Sequence, residues 1–216
     1  MSTSGERRSS GSATGWLVGG ILFITIVSVA LVARSYPQRE ALLLVVDKSG
    51  SLAGDPMDHV KQACLAANKM LRSGDFIGVL AFDTKPRWVV PLGRAGNEAR
   101  FRDLIGRLHA DGGTDIYPAL AEALRAFGSD PYARSARIKR IVLFSDGVTI
   151  PADFEGIIKL LAQNGVAVST ICVGSDDFNA PLMSRIAEWG GGRFIFADST
   201  KKLPQFFSGE TCRSPR

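Results

Sequence analysis

From Ala41 onward the chain alternates between two textures. Short runs of consecutive apolar residues recur: "ALLLVV" (41–46), "FIGVLAF" (76–82), "RIVLFS" (140–145), "VAVSTICVG" (166–174) and "RFIFA" (193–197). They are rich in Val, Ile and Phe and lack polar alternation, the pattern of strands covered on both faces. Between them the apolar spacing turns helical. Met57 to Leu71 places Val60, Ala63, Cys64, Ala67 and Leu71 on one stripe, and Phe101, Leu104, Ile105 and Leu108 make a second. Segments 116–127, 154–162 and 182–189 continue the series. Gly74, Gly128, Gly165 and the glycines at 190–192 stand where these helices stop.

Strands alternating with amphipathic helices predict a parallel α/β sheet between two helix layers. One segment breaks the rhythm. "RWVVPL" (87–92) follows "FIGVLAF" after the four residues "DTKP", too few for a helical crossover. It is therefore an antiparallel partner on the sheet edge, where Pro91 is better tolerated than in a central strand. The expected architecture is an open, doubly wound, mostly parallel Rossmann-like sheet with one antiparallel edge strand.

Ahead of this pattern, "GWLVGGILFITIVSVALVA" (15–33) holds 19 residues without a charge. At ~1.5 Å per residue it reaches about 28 Å, close to the ~30 Å hydrocarbon core of a bilayer. It has no polar face, which argues against a core helix, and Trp16 and Tyr36 sit at interfacial positions. A cleaved signal peptide is the rival reading, with Arg7 and Arg8 as its basic start and "SVA" as its cleavage site. The length of the apolar run favours a retained anchor. The division is then a head (1–14), a transmembrane helix (15–33), a linker (34–40), one domain (41–208) and a tail (209–216), with the domain outside the membrane's cytoplasmic side. Two arginines on each side of the span leave the positive-inside count tied.

Composition changes little in this picture. Apolar residues make up 45% of the 216, enough for a sizeable core, and the net charge of +5 is mild. The basic residues are scattered, so no nucleic-acid footprint is expected. Cys64, Cys172 and Cys212 are far apart and form no metal-type pair, and Cys64 and Cys172 read as small core residues.

Chemistry collects at three places, each just beyond a strand. "VVDKSGSLAG" (45–54) puts Asp47, Ser49 and Ser51 behind the first strand; "ADGGTDIYPAL" puts Thr114 before a helix; "FSDGVT" puts Asp146 behind the fourth long run. Singly these are ordinary turn and cap residues. Together they are two carboxylates and three hydroxyls at the end of the sheet where such folds bind ligands. An all-oxygen set suits a hard divalent cation, Mg²⁺ first, with Mn²⁺ or Ca²⁺ as alternatives. Gly50, Gly112 and Gly113 allow the loops to approach closely.

The pattern Asp47-x-Ser49-x-Ser51, Thr114 in "GGTDIYPAL" and Asp146 in "FSDG" resembles the metal-ion-dependent adhesion site of von Willebrand factor A domains. "GVLAFD" and "VSTICVG" resemble the second and fifth strands of bacterial members, and "DFEGIIKLLAQNGVAVST" and "WGGGRFIF" a membrane-bound bacterial subgroup. The resemblance covers residues 41–208. It implies that Ser49, Ser51 and Thr114 bind the ion through their hydroxyls and that Asp47 and Asp146 act directly or through water. It also implies a sheet in which the first and fourth strands are neighbours. Lys48 is then expected to point away from the cation.

Two formal negative charges leave a divalent ion in want of an anion, so the expected partner is a protein that supplies Asp or Glu. The chain is read as a binding module of a bacterial inner membrane, and not as an enzyme. Metal-assisted hydrolysis or phosphoryl transfer is the rival class, and a structural scaffold within a membrane complex is a third. Against an enzyme, His59 and His109 are the only histidines and fall on or after helices, and no P-loop or Gly-x-Ser-x-Gly elbow is present. Arg87, Trp88 and Tyr117 are candidate rim contacts for the partner. Integrin-like A domains switch through a last helix. The corresponding "KKLPQFFSG" (201–209) is short and carries Pro204, so no such piston is expected.

Overall fold

The computed structural model describes residues 38–173 and 180–197. The expected membrane anchor (15–33), the head, most of the linker and the segment 201–209 lie outside them. No helix among the described residues is long and apolar enough to cross a membrane.

The apolar runs form six strands: β1 (Glu40–Asp47), β2 (Phe76–Phe82), β3 (Pro86–Arg94), β4 (Ile138–Ser145), β5 (Val166–Val173) and β6 (Gly191–Ala197). Between them lie α1 (Asp55–Met70), α2 (Glu98–Gly106), α3 (Ile116–Ser129), α4 (Pro131–Ser135), α5 (Phe154–Gln163) and α6 (Ala180–Trp189). The strands make one sheet in the order β3-β2-β1-β4-β5-β6. Every pairing is parallel except β2 with β3. The antiparallel edge strand predicted from the short "DTKP" link is therefore present. Pro91 lies where β3 slips register against β2, a position that does not require a ladder N–H.

Alternation along β1 shows why its run is apolar throughout. Leu43 and Val45 enter a core shared with Leu120, Ile158 and Ile186. Leu42, Leu44 and Val46 enter the opposite core, with Val60, Cys64, Phe101 and Ile105. Successive side chains point to opposite faces, so a strand covered by helices on both sides has no polar position to spare. Both described cysteines are buried, as their sequence surroundings suggested, and burial pushes the Cys64 thiol up to about 12.

Helix boundaries follow capping chemistry more than periodicity. The α1 helix begins at Asp55, two residues ahead of the apolar stripe, because Pro56 suits a first-turn position. The α2 helix begins at Glu98 because Asn97 accepts the Arg100 N–H. The five-residue α4 is too short to show a period. It is set by Asp130, whose Oδ1 accepts the N–H groups of Tyr132 (2.8 Å) and Ala133 (3.1 Å).

Asp75 is the polar tie of the opposite end of the sheet. It is buried, and its carboxylate accepts the Glu40 N–H at 2.9 Å and the Arg72 N–H at 2.8 Å. Asp75→Ala would leave both donors without an acceptor. The expected loss is about 2 kcal/mol of stability, read as a lower denaturant midpoint with an unchanged slope.

Candidate metal centre at the switch point

Strand order reverses between β1 and β4, so the loops leaving these two strands diverge and open a crevice. Val46 pairs with Phe144, which brings the next residues, Asp47 and Ser145, side by side. Both are fully buried. Ser145 Oγ donates to Asp47 Oδ2 at 2.6 Å, and the Ser49 N–H donates to Asp47 Oδ1 at 2.8 Å. Ser145 Oγ in turn accepts the Gly147 N–H at 3.1 Å. Burial raises the Asp47 carboxyl to about 6; the bonds from Ser145 and Ser49 pull against that rise, and the charge of Asp146 adds to it.

A run of hydroxyls leads from Asp47 to Asp146. Ser49 Oγ and Ser51 Oγ are 3.0 Å apart, and Ser51 Oγ donates to Asp146 Oδ2 at 2.6 Å. Asp146 Oδ1 accepts the Val148 N–H at 2.9 Å, so its carboxylate is oriented by its own loop. The curvature that aims both serines at one point comes from a single 3₁₀ turn, Gly50–Leu52, anchored by buried Leu52.

The third loop is tied to the first by its backbone. The Gly50 N–H donates to Gly112 O at 3.1 Å, and the Asp111 N–H to Lys48 O at 2.6 Å. Gly112 has φ +93°, and a Cβ there would sit 3.1 Å from the Cβ of Asp83. A side chain at this position is therefore strained by the backbone conformation and crowded by Asp83. Thr114, two residues on, is half-buried. Among the described residues its side chain makes no hydrogen bond to the other four site candidates. The loop ties deliver Thr114 to the same end of the sheet, while Asp47, Ser49, Ser51 and Asp146 are bonded in series.

Three residues outside the sequence-derived set build this arrangement. Ser145 holds the Asp47 carboxylate; its signal in the sequence was its place beside Asp146 at a strand end. Asp83 accepts an ion pair from Lys48 at 2.7 Å, and its backbone oxygen accepts the Asp115 N–H at 2.8 Å. The Lys48 ammonium holds the Asp83 carboxyl well below the usual carboxylate range, so the positive charge between Asp47 and Ser49 is spent on the β2 loop. Thr149 Oγ1 accepts the Ile116 N–H at 3.0 Å, capping α3 from the β4 loop. No short-range pattern announces the last two.

The proposed rim is only partly at the surface. Arg87 is exposed, but the Trp88 indole N–H donates to Glu122 at 2.7 Å and the Tyr117 ring packs edge-on against Phe154. In their place Val148 and Ile150, 50% and 57% exposed, project from the loop after Asp146.

Among the described residues no cluster of three or more His, Cys, Asp or Glu is placed to hold a metal. The bonded set is of another kind, two carboxylates joined by serine hydroxyls. Its donors are all hard oxygens, which fits Mg²⁺, Mn²⁺ or Ca²⁺ and does not fit a thiolate- or imidazole-seeking ion. A cation beside Asp47 would also offset the burial of that carboxylate next to Asp146.

Residues 41–209 match the von Willebrand factor type A domain. The sequence is 29% identical over 186 residues to sll0103 of Synechocystis, covering 84% of this chain and 43% of that protein. It is 26% identical over 200 residues to YfbK of Escherichia coli, covering 86% of this chain and 34% of that one. The chain thus spans well under half the length of either relative. A von Willebrand factor type A structure from Catenulispora acidiphila superposes with a TM-score of 0.68 at 29% identity, over 82% of this chain and 43% of its own. With the strand order, the reversal between β1 and β4 and a match that spans most of its length, the chain belongs to the von Willebrand factor type A domain family.

Proposed function

We propose that this domain (41–208) recognises a protein partner through a divalent cation held by Asp47, Ser49, Ser51, Thr114 and Asp146. The observation that carries this reading is the unbroken bonded run from Asp47 through Ser49 and Ser51 to Asp146, drawn from two strand ends. When bound, the ion supplies a hard Lewis-acidic position that takes an oxygen from outside the chain. Mg²⁺ is the first candidate, with Mn²⁺ and Ca²⁺ behind it.

The chain's own residues set the preference for what arrives. Asp47 and Asp146 bring two negative charges, which balance a divalent ion without an excess that would repel an acid, so an Asp or Glu from the partner can complete its oxygen shell. Ser145 and the Ser49 N–H hold the Asp47 carboxylate in one orientation. Lys48 is kept off the site by Asp83. Val148 and Ile150 give the partner apolar surface beside the acidic residue. A-type domains are generally interaction modules, in keeping with this reading over hydrolysis or phosphoryl transfer. The apolar segment 15–33 supports a single-pass anchor in a bacterial inner membrane, with the domain outside the cytoplasm.

The test is affinity capture by the full chain from membrane extracts, in Mg²⁺ and in EDTA. A partner retained in Mg²⁺ and released by EDTA is expected, with capture lost when the partner's acidic residue is amidated by Glu→Gln or Asp→Asn substitution. Equal retention with and without the metal would overturn the reading.

A further inference from the structure

A second concave feature lies on the flank of the sheet, well away from the strand ends. Helix α2, the last turns of α1 and the edge strand β3 enclose a cleft of about 270 Å³. Its inner wall includes Asn68, Ile77 and Phe101, all buried, and its mouth carries Arg94, Asn97 and Arg100, all exposed. Strand β3 slips against β2 at this level, with Ile77 facing Gly93 but Val79 facing Val90. Val90 and Pro91, at this slip, line the cleft. Six residues of strand separate Ile77 from Asp83, roughly 20 Å at 3.3 Å per residue, so the cleft and the metal centre are separate places.

Two polar features of the cleft lack partners. Asn68 is 4% exposed, and its Oδ1 is the one buried side-chain oxygen or nitrogen among the described residues without a hydrogen bond. That oxygen is shielded from solvent and so from the cleft; Asn68 Nδ2, which is not so shielded and makes no hydrogen bond among the described residues, is the polar atom left to meet a ligand. At the mouth, neither Arg94 nor Arg100 has an acidic partner among the described residues. Arg107 and Arg125, by contrast, each pair with a carboxylate on their own helix surface. The wall between these two ends is apolar.

We infer that this cleft binds a small amphipathic carboxylate: its anion between Arg94 and Arg100, its apolar body against Ile77 and Phe101, and a hydroxyl oxygen accepting from Asn68 Nδ2. The volume lies just below the ~300–1,000 Å³ of drug-sized sites, which suits one ring with a short chain. The order hydroxyl, apolar body, anion follows the order of burial from the inner wall to the mouth.

Isothermal titration of the full chain with 3-(4-hydroxyphenyl)propionate tests this directly. One-to-one binding is expected, unchanged by EDTA because the metal centre is not involved. Loss of the hydroxyl, in 3-phenylpropionate, or of the charge, in the propionamide, should each weaken binding about tenfold. The double variant Arg94→Gln/Arg100→Gln should lose about tenfold for the acid and nothing for the amide. Asn68→Leu should bind the hydroxylated and plain acids equally; should it fail to fold, the comparison of the three probes on the wild-type chain still decides the point. No binding at the solubility limit of the probe, equal affinity for all three, or indifference to the double arginine variant would overturn the inference.

Discussion

Asp47→Asn is expected to abolish the stabilisation that Mg²⁺ gives the wild-type chain while making the metal-free protein more stable. Both effects come from one buried carboxylate. Burial raises Asp47 to about 6, above its ordinary value of 3.8, so the folded state holds this proton more tightly than the unfolded state does. Stability then falls as pH rises from about 4 to about 6 and stays low above that window. The cost at neutral pH is of the order of 3 kcal/mol. An asparagine removes that cost; its oxygen can still accept from the Ser49 N–H, and its amide donates to Ser145 Oγ with the direction of that bond reversed. A gain of about 1–3 kcal/mol in EDTA at pH 7 is expected. In Mg²⁺ at about 100 times its dissociation constant the wild type gains about 2.7 kcal/mol, and the variant gains nothing.

The same reasoning separates the pH profiles. Metal-free wild-type protein should become more stable when pH is lowered from 7 to about 5, because protonation relieves the buried charge. With Mg²⁺ at that concentration the trend flattens, since the cation is held by the ionised carboxylate and brings its folded-state value back towards the ordinary one. Thermal melts across that window, in EDTA and in Mg²⁺, give the two slopes. If both slopes are the same in Asp47→Asn as in the wild type, Asp47 is not the group that responds.

Gly192→Ala is the second large effect, and it acts on the fold. A Cβ at Gly192 would overlap the carbonyl oxygen of Val168 and lie 2.5 Å from its carbon and 2.6 Å from Ser169 Oγ. Val168 belongs to β5, whose pairing with β6 slips register between Val168 and Thr170. The close approach is held by the Arg193 N–H on Ser169 Oγ at 3.1 Å and the Val168 N–H on Gly190 O at 3.0 Å. A backbone carbonyl in a paired strand cannot rotate aside as a side chain would, so β6 must move away from β5. A loss of about 3 kcal/mol or more is expected in denaturant unfolding, with β6 amides losing exchange protection first. Gly128→Ala is the control. It lies in α3 with nothing near its added carbon, and it should gain about 0.5–1 kcal/mol from helix propensity.

The metal-centre candidates divide by how local their evidence is. Asp47, Ser49 and Ser51 were legible because they are closely spaced polar residues at the end of a buried run. Asp146 was legible for the same reason at β4. Thr114 followed from its glycines and the resemblance, and the structure places its loop beside the others without bonding its side chain to them. Ser145 stands 98 positions from Asp47, and its bond to that carboxylate depends on the β1–β4 register. Lys48 read as a bystander; the structure shows it paired with Asp83, closing the first and second loops together. Trp88 and Tyr117 read as rim residues, and the structure leaves both half-buried. Their partners, Glu122 and Phe154, lie on α3 and α5.

The sequence by itself determined the alternation of strands and helices, the antiparallel edge at β3 and the polar ends of β1 and β4. All of these rest on period, link length and turn chemistry, which act within a few residues along the chain. Only the tertiary structure decided which hydroxyl supports Asp47, that Lys48 pairs with Asp83, and that Asn68 lines a cleft beside two arginines without an acidic partner among the described residues. Those outcomes depend on strand register and on helices packing across the sheet, where residues far apart in sequence come within hydrogen-bond distance.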